Sequence, residues 1–139
     1  MKANELRIGN LIHNPIQNID LRVTVDLLSR INYDYFNTQM NPKDKFQPIP
    51  LTEKWLLKFG FKELTRFTHD FEEIIYSKSI IIGSEDHCET LTISMPFKIV
   101  FIGDYLSDED YTLNIDINNV HTLQNLYFAL TNEELKITL

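Results

Sequence analysis

Asp86, His87, Cys88 and Glu89 stand in a row and bring three kinds of metal-ligating side chain into four residues. On an extended segment adjacent side chains point to opposite faces, and a structural zinc site needs four ligands converging at about 2.0 to 2.3 Å. Cys88 is the only cysteine and no second histidine lies nearby, so the ligand set is short and a polar turn is the expected identity. A second acidic group, Asp104 with Asp108, Glu109 and Asp110, has the density of a calcium loop but not its spacing. There is no glycine at the sixth position, and the twelfth from Asp104 is Ile115 where a bidentate glutamate belongs. A hydrolase using Asp104, Asp108 and Asp110 around a divalent ion is the one catalytic reading these residues allow, and the same two gaps weigh against it. A solvated hairpin loop or an acidic contact patch fits them better.

The remaining reactive types are scattered. His13, His69, His87 and His121 fall in different segments, with no H-E-x-x-H spacing to set two on one helical face. No serine sits in a G-x-S-x-G elbow, and His87 is the direct neighbour of Cys88, a position from which its ring cannot easily turn back to activate the thiol. Four glycines in the whole chain leave no phosphate-cradling loop. The expectation is a protein that is not an enzyme, has no cofactor and no metal, and works by binding.

Charge then becomes the informative quantity. The net value of −7 disfavours general nucleic-acid binding, but it conceals an asymmetry. Residues 1 to 66 hold ten Lys/Arg and seven Asp/Glu, whereas residues 67 to 139 hold three and thirteen. The acidic half suggests an interaction surface of Glu85, Asp86, Glu89, Asp104, Asp108, Glu109 and Asp110. The basic half offers Lys43, Lys45, Lys54, Lys58, Lys62 and Arg66 among aromatic neighbours, a mixture suited to phosphate contact and base stacking. Solvated lysines on an ordinary helix are the plain alternative, and Trp55 with Phe59 reads as core.

These residues need a scaffold, and 139 residues suffice for one core, so a single domain over residues 1 to 139 is expected. Apolar residues at 43% and charged residues at 24% are values of a chain that folds. No stretch of about 18 apolar residues occurs, so no membrane contact is expected. The lone cysteine and an N-terminus without an apolar segment behind Lys2 and Arg7 point to the cytoplasm.

Leu6 to Ile12 reads as an opening strand interrupted at Gly9-Asn10, and Leu21 to Val25 as a second extended piece. A short helix capped by Asp26 follows, with Leu27, Leu28 and Ile31 on one face. Residues 32 to 50, rich in Asn, Asp and Pro, read as a surface loop. The clearest helix lies in PIPLTEKWLLKFGF: Thr52 caps it, Leu51 and Leu56 staple it, and Gly60 ends it with Phe61 folding back on Leu56. Leu64 to Phe67, Phe71 to Tyr76, Ser79 to Ile82, Leu91 to Met95, Phe97 to Ile102 and Tyr111 to Ile117 form an antiparallel meander. A last helix keeps Val120, Leu123, Leu126, Tyr127 and Leu130 on one face, then Thr131 to Glu134 opens a further turn and Lys136 to Leu139 a terminal strand. The class is therefore α+β, a mostly antiparallel sheet of five to seven strands with two or three short helices packed on one face.

The stretches ELRIGN, PIPLTEKWLLKFGF and VHTLQNLYFALTNEEL resemble small uncharacterised proteins encoded by phages and prophages of the Bacteroidota. The chain departs from them in its longer Asn/Pro segment and in its acidic inserts around Glu85 and Asp108. The resemblance implies a shared scaffold and a phage or prophage origin, and it carries over no catalytic residue. Together with the acidic half, it points to a stoichiometric inhibitor of a host antiviral effector, similar in style to anti-CRISPR proteins and acting on an RNA-guided nuclease or its guide-RNA complex in the bacterial cytoplasm. The alternative is an RNA- or DNA-binding accessory protein that uses the basic half.

Overall fold

Thr24, not Asp26, opens the first helix: its backbone is extended and its hydroxyl accepts from Leu27 N at 3.2 Å. In this computed structural model, which describes residues 1 to 67, 69 to 82, 88 to 95, 97 to 103 and 111 to 138, helix α1 runs Val25–Phe36. It passes into the segment expected to be a loop. The first proline of that segment is Pro42, and Ile31 followed by Asp34 continues the buried face begun by Leu27 and Leu28, so nothing local stops the helix at residue 31.

The chain divides into two compact units, Met1–Pro50 with Asn119–Leu126 and Leu51–Asn118 with Tyr127–Leu139. In the first, β1 (Leu11–Asn14) is the centre of a three-stranded antiparallel sheet, flanked by β2 (Ile19–Arg22) and β3 (Gln47–Pro48). The expected opening strand begins later than Leu6 because Gly9 takes a positive φ of 93° and Asn10 Oδ1 accepts from Arg7 N; Gly9 N and Asn10 O then bond Val23, and the regular ladder starts at Leu11. The β1–β2 hairpin closes through Asn14 Oδ1, which accepts from Ile16 N and Gln17 N, with Asn18 in the left-handed region. Leu6, Ile12, Val23 and Ile31 form a buried cluster, against which Leu27, Leu28 and Phe46 pack. A late segment completes this unit: Gln124 Oε1, buried, accepts from Leu11 N at 2.8 Å, and Val120 N donates to Ile49 O at 2.9 Å.

The second unit begins with α2 (Glu53–Lys58). Its C-terminus ends as the sequence predicts. Gly60, at φ 79°, donates to Leu57 O while Phe61 N donates to Leu56 O, and Leu56 and Phe61 are both buried. Thr52 stands at the N-cap, but its side chain makes no capping bond. Five antiparallel strands follow in sequential order: β4 (Lys62–Phe67), β5 (Glu72–Ile81), β6 (Cys88–Ser94), β7 (Ile99–Gly103) and β8 (Tyr111–Leu113). Residues 71 to 82, expected as two strands, hold a single one. Ser77 and Lys78 pair with Thr92 and Leu91 and keep the alternation instead of turning. One sheet face carries Tyr76, Ile80, Leu91, Ile93 and Val100, all buried.

Helix α3 (Val120–Thr131) buries Val120, Leu123, Leu126 and Tyr127 as its spacing requires. Thr131 closes it rather than opening a new turn: its hydroxyl donates to Tyr127 O and Asn132 adopts φ 57°. Among the described residues, Lys136 to Thr138 form no strand, although Thr138 N donates to Lys58 O at 2.7 Å. The class is α+β, with an antiparallel five-stranded sheet and a separate three-stranded one. Among the described residues no helix is long and apolar enough to cross a membrane.

Candidate functional site

Of the seven carboxylates assigned to the acidic surface, Glu85, Asp86, Asp104, Asp108, Glu109 and Asp110 lie outside the described residues. Glu89 is half-buried on β6, opposite Ile80. The six basic residues do not form one group. Lys43 lies in a short 3-10 turn, Pro42–Asp44, and Lys45 follows it, both in the first unit. Lys54 and Lys58 on α2 and Lys62 and Arg66 on β4 belong to the second.

Two cationic groups of the second unit, Lys58 and Arg66, meet aromatic rings of that unit. Lys58 Nζ stands 4.3 Å over the Trp55 ring, a cation–π contact. Phe59 is fully buried, as expected of a core residue, whereas Trp55, its ring 5.7 Å away, is half-buried. Arg66 faces Glu73 directly across the β4–β5 ladder, and its guanidinium lies 5.6 Å from the Phe101 ring on the same sheet face. Ser94 Oγ donates to the Glu73 carboxylate. Along α2 and β4 these cations stand beside Glu53 and Glu63 in the chain, and Arg66 pairs opposite Glu73.

Beyond this polar patch the sheet changes character. The last β6 residue to pair is Ser94, opposite Ile75 of β5, so Glu72 to Ile74 pair only with β4. Thr65 to Phe67 and Glu72 to Ile74 therefore make a two-stranded finger beyond the edge of β6. Opposed residues of an antiparallel pair share a face, which places Phe67, Ile74 and Thr65 together. Phe67 is 78% exposed, Ile74 45%, and Phe71 in the connection 55%. On the opposite face Arg66, Glu73, Ser94 and Phe101 hold the finger's base. The sequence places strands here but cannot show that β6 stops short, and that stop is what exposes these apolar side chains.

The titratable groups have structural settings. Tyr76 OH donates to Glu63 Oε2 at 3.0 Å, and burial, that bond and the charges of Glu53 and Glu63 push its pKa up to about 12. Burial lowers the pKa of His121, with Glu5 working against the shift and the N-terminal ammonium reinforcing it. Burial, then Glu133, raises that of Tyr127. His13 Nδ1 lies 2.9 Å from Asp20 across the β1–β2 hairpin, while His69 and Cys88 are exposed. Among the described residues no group of three or more His, Cys, Asp or Glu is placed to hold a metal ion.

Charge follows the units and not the midpoint of the chain. The first unit carries six Lys/Arg and five Asp/Glu, the second seven and fifteen, so the exposed apolar finger stands on the acidic unit. Comparison with protein families, curated proteins and solved structures gives no match, and the functional reading rests on this geometry.

Proposed function

We propose that this chain acts by stoichiometric binding, as a phage or prophage inhibitor of a host antiviral effector that handles nucleic acid, such as an RNA-guided nuclease with its guide RNA. The β4–β5 finger carries the proposal: exposed Phe67 and Ile74 on one face, on a unit with fifteen acidic and seven basic side chains. Channels that accept nucleic acid are positively charged, so an acidic unit is drawn to them and associates quickly at low salt. Buried aromatic and aliphatic anchors then supply most of the residence time. Occupying the channel, the finger excludes the nucleic acid, and no catalytic group on this chain is needed. Such a partner acts in the bacterial cytoplasm.

The test titrates the chain against purified RNA-guided nuclease complexes from Bacteroidota hosts and follows cleavage of target DNA. The expected result is inhibition that saturates at one chain per complex, weakens with salt, and is lost when Phe67→Ser and Ile74→Ser are combined. Full inhibition by that double variant, or none by the unaltered chain, overturns the proposal. Direct RNA binding through Lys54, Lys58, Lys62 and Arg66 is less well supported, because Lys58 lies over the Trp55 ring and Arg66 beside the Phe101 ring. A gel shift of bare single-stranded RNA by the chain alone, with a steep salt slope, would put that reading in its place.

A further inference from the structure

The face of α1 turned away from the buried Ile31 and Asp34 carries Asn32, Tyr33 and Phe36. Phe36 follows the other two by four and three residues, so the three side chains lie side by side. Tyr33 and Phe36 are each 70% exposed. A single exposed aromatic is ordinary, but a pair rimmed by polar groups is the composition of a ligand-binding groove. The rim is supplied by the chain that follows. Asn37 caps the helix, its N–H reaching Tyr33 O and Asp34 O, and its Oδ1 accepts from Gln39 N at 3.0 Å. That turn brings Thr38 and Gln39 to the same notch as Tyr33 and Phe36. The notch has a volume of about 500 Å³, inside the roughly 300 to 1,000 Å³ range of small-molecule sites. The Phe36 ring is braced edge to face by Tyr35, with centroids 5.1 Å apart.

The chemistry of the lining selects a ligand. Among the described residues that line the notch none is charged, so nothing there offsets the desolvation of a phosphate, a carboxylate or an ammonium. Its polar groups are the amides of Asn32, Asn37 and Gln39 and the hydroxyl of Thr38, each of which both donates and accepts. A purely apolar ligand would use only the two rings, and a nucleic-acid strand would bring phosphates that meet no cation. A sugar ring suits both halves. One of its faces is a sheet of C–H groups that packs on an aromatic ring, and its rim is a row of hydroxyls that donate and accept as the amides do.

We infer that this notch binds a neutral saccharide, with one sugar ring against Tyr33 and Phe36 and its hydroxyls on the side chains of Asn32, Thr38 and Gln39. The site belongs to the first unit and uses no residue of the finger.

Nuclear magnetic resonance titration of the isotope-labelled full chain tests this with di- and trisaccharides of glucose, galactose, mannose and N-acetylglucosamine. The expected result is one-to-one binding of at least one of them with Kd of about 1 mM or tighter, equal in low and high salt because no ion pair forms. The largest amide shifts should fall in residues 29 to 39. Tyr33→Ser, Phe36→Ser and Gln39→Ala should each weaken the sugar by about fivefold or more, whereas Phe67→Ser should leave its binding unchanged. Should one of these variants fail to fold, the position of the shifts on the unaltered chain decides. Oligouridylate, the probe for a nucleic-acid strand, should give no shift in residues 29 to 39. Shifts there from oligouridylate with a steep salt slope assign the notch to nucleic acid and overturn the inference. So does absence of binding by every sugar at about 20 mM, a shift pattern confined to other parts of the chain, or full-strength binding when Tyr33→Ser and Phe36→Ser are combined.

Discussion

Tyr76 shows how much of the second unit's behaviour rests on one hydroxyl. It is 1% exposed, its bond to Glu63 ties β5 to β4, and its pKa is pushed up to about 12 from an ordinary 10.0. The folded state therefore holds this proton more tightly than the unfolded chain does. Its contribution to stability is complete below pH 10 and is lost as pH rises through about 12. Absorbance titration of phenolate should show one group appearing near pH 12 that is missing from Tyr76→Phe, and that variant should be about 1 kcal/mol less stable near neutral pH in urea. His121 has the opposite sign. Its pKa lies below 6.5 in the folded state, so stability is full above pH 6.5 and is lost as pH falls through the lowered value. Its Nδ1 is buried without a partner among the described residues, and urea midpoints at pH 7.5 and 5.0 should differ less in His121→Gln than in the unaltered chain. Phe67→Ser, by contrast, should change stability by no more than about 0.5 kcal/mol, because the side chain is 78% exposed. Any larger effect on binding then reports the interface.

At the scale of elements, the end of α2 is the most constrained backbone. Gly60 stands at φ 79°, and a Cβ there would lie 3.0 Å from Thr138 Oγ1. Gly60→Ala should cost about 1 to 2 kcal/mol from the left-handed backbone alone, read as a lower urea midpoint at unchanged slope. This terminus was legible in the sequence because glycine and the apolar residues around it are local signals. So was the period of α3. The end of α1 was not, because nothing in Asn32 to Phe36 distinguishes a loop from a helix until Asp34 is seen to continue the buried face. The continuity of β5 through Ser77-Lys78 was hidden for a similar reason: polar residues in a strand look like a turn unless their partners on β6 are known. The finger was legible as strands but not as a surface, since exposure depends on where the neighbouring strand ends.

For the whole molecule, dividing the charges at the middle of the sequence gave a basic and an acidic half, but the fold draws its boundary elsewhere. Lys54, Lys58, Lys62 and Arg66 fall in the unit that holds fifteen of the carboxylates. Association with a basic partner should therefore slow as salt rises while dissociation hardly changes, since screening acts on the long-range field and not on the packed Phe67 and Ile74 face. Stopped-flow measurement in low and high salt separates the two. The bond from Leu11 N to Gln124 Oε1 spans 113 positions of the chain. During translation, β1 must leave the ribosome long before the residue that closes over it has been added. The nascent first unit thus waits until residue 124 has been added, while the β4-to-β8 meander can pair as it emerges.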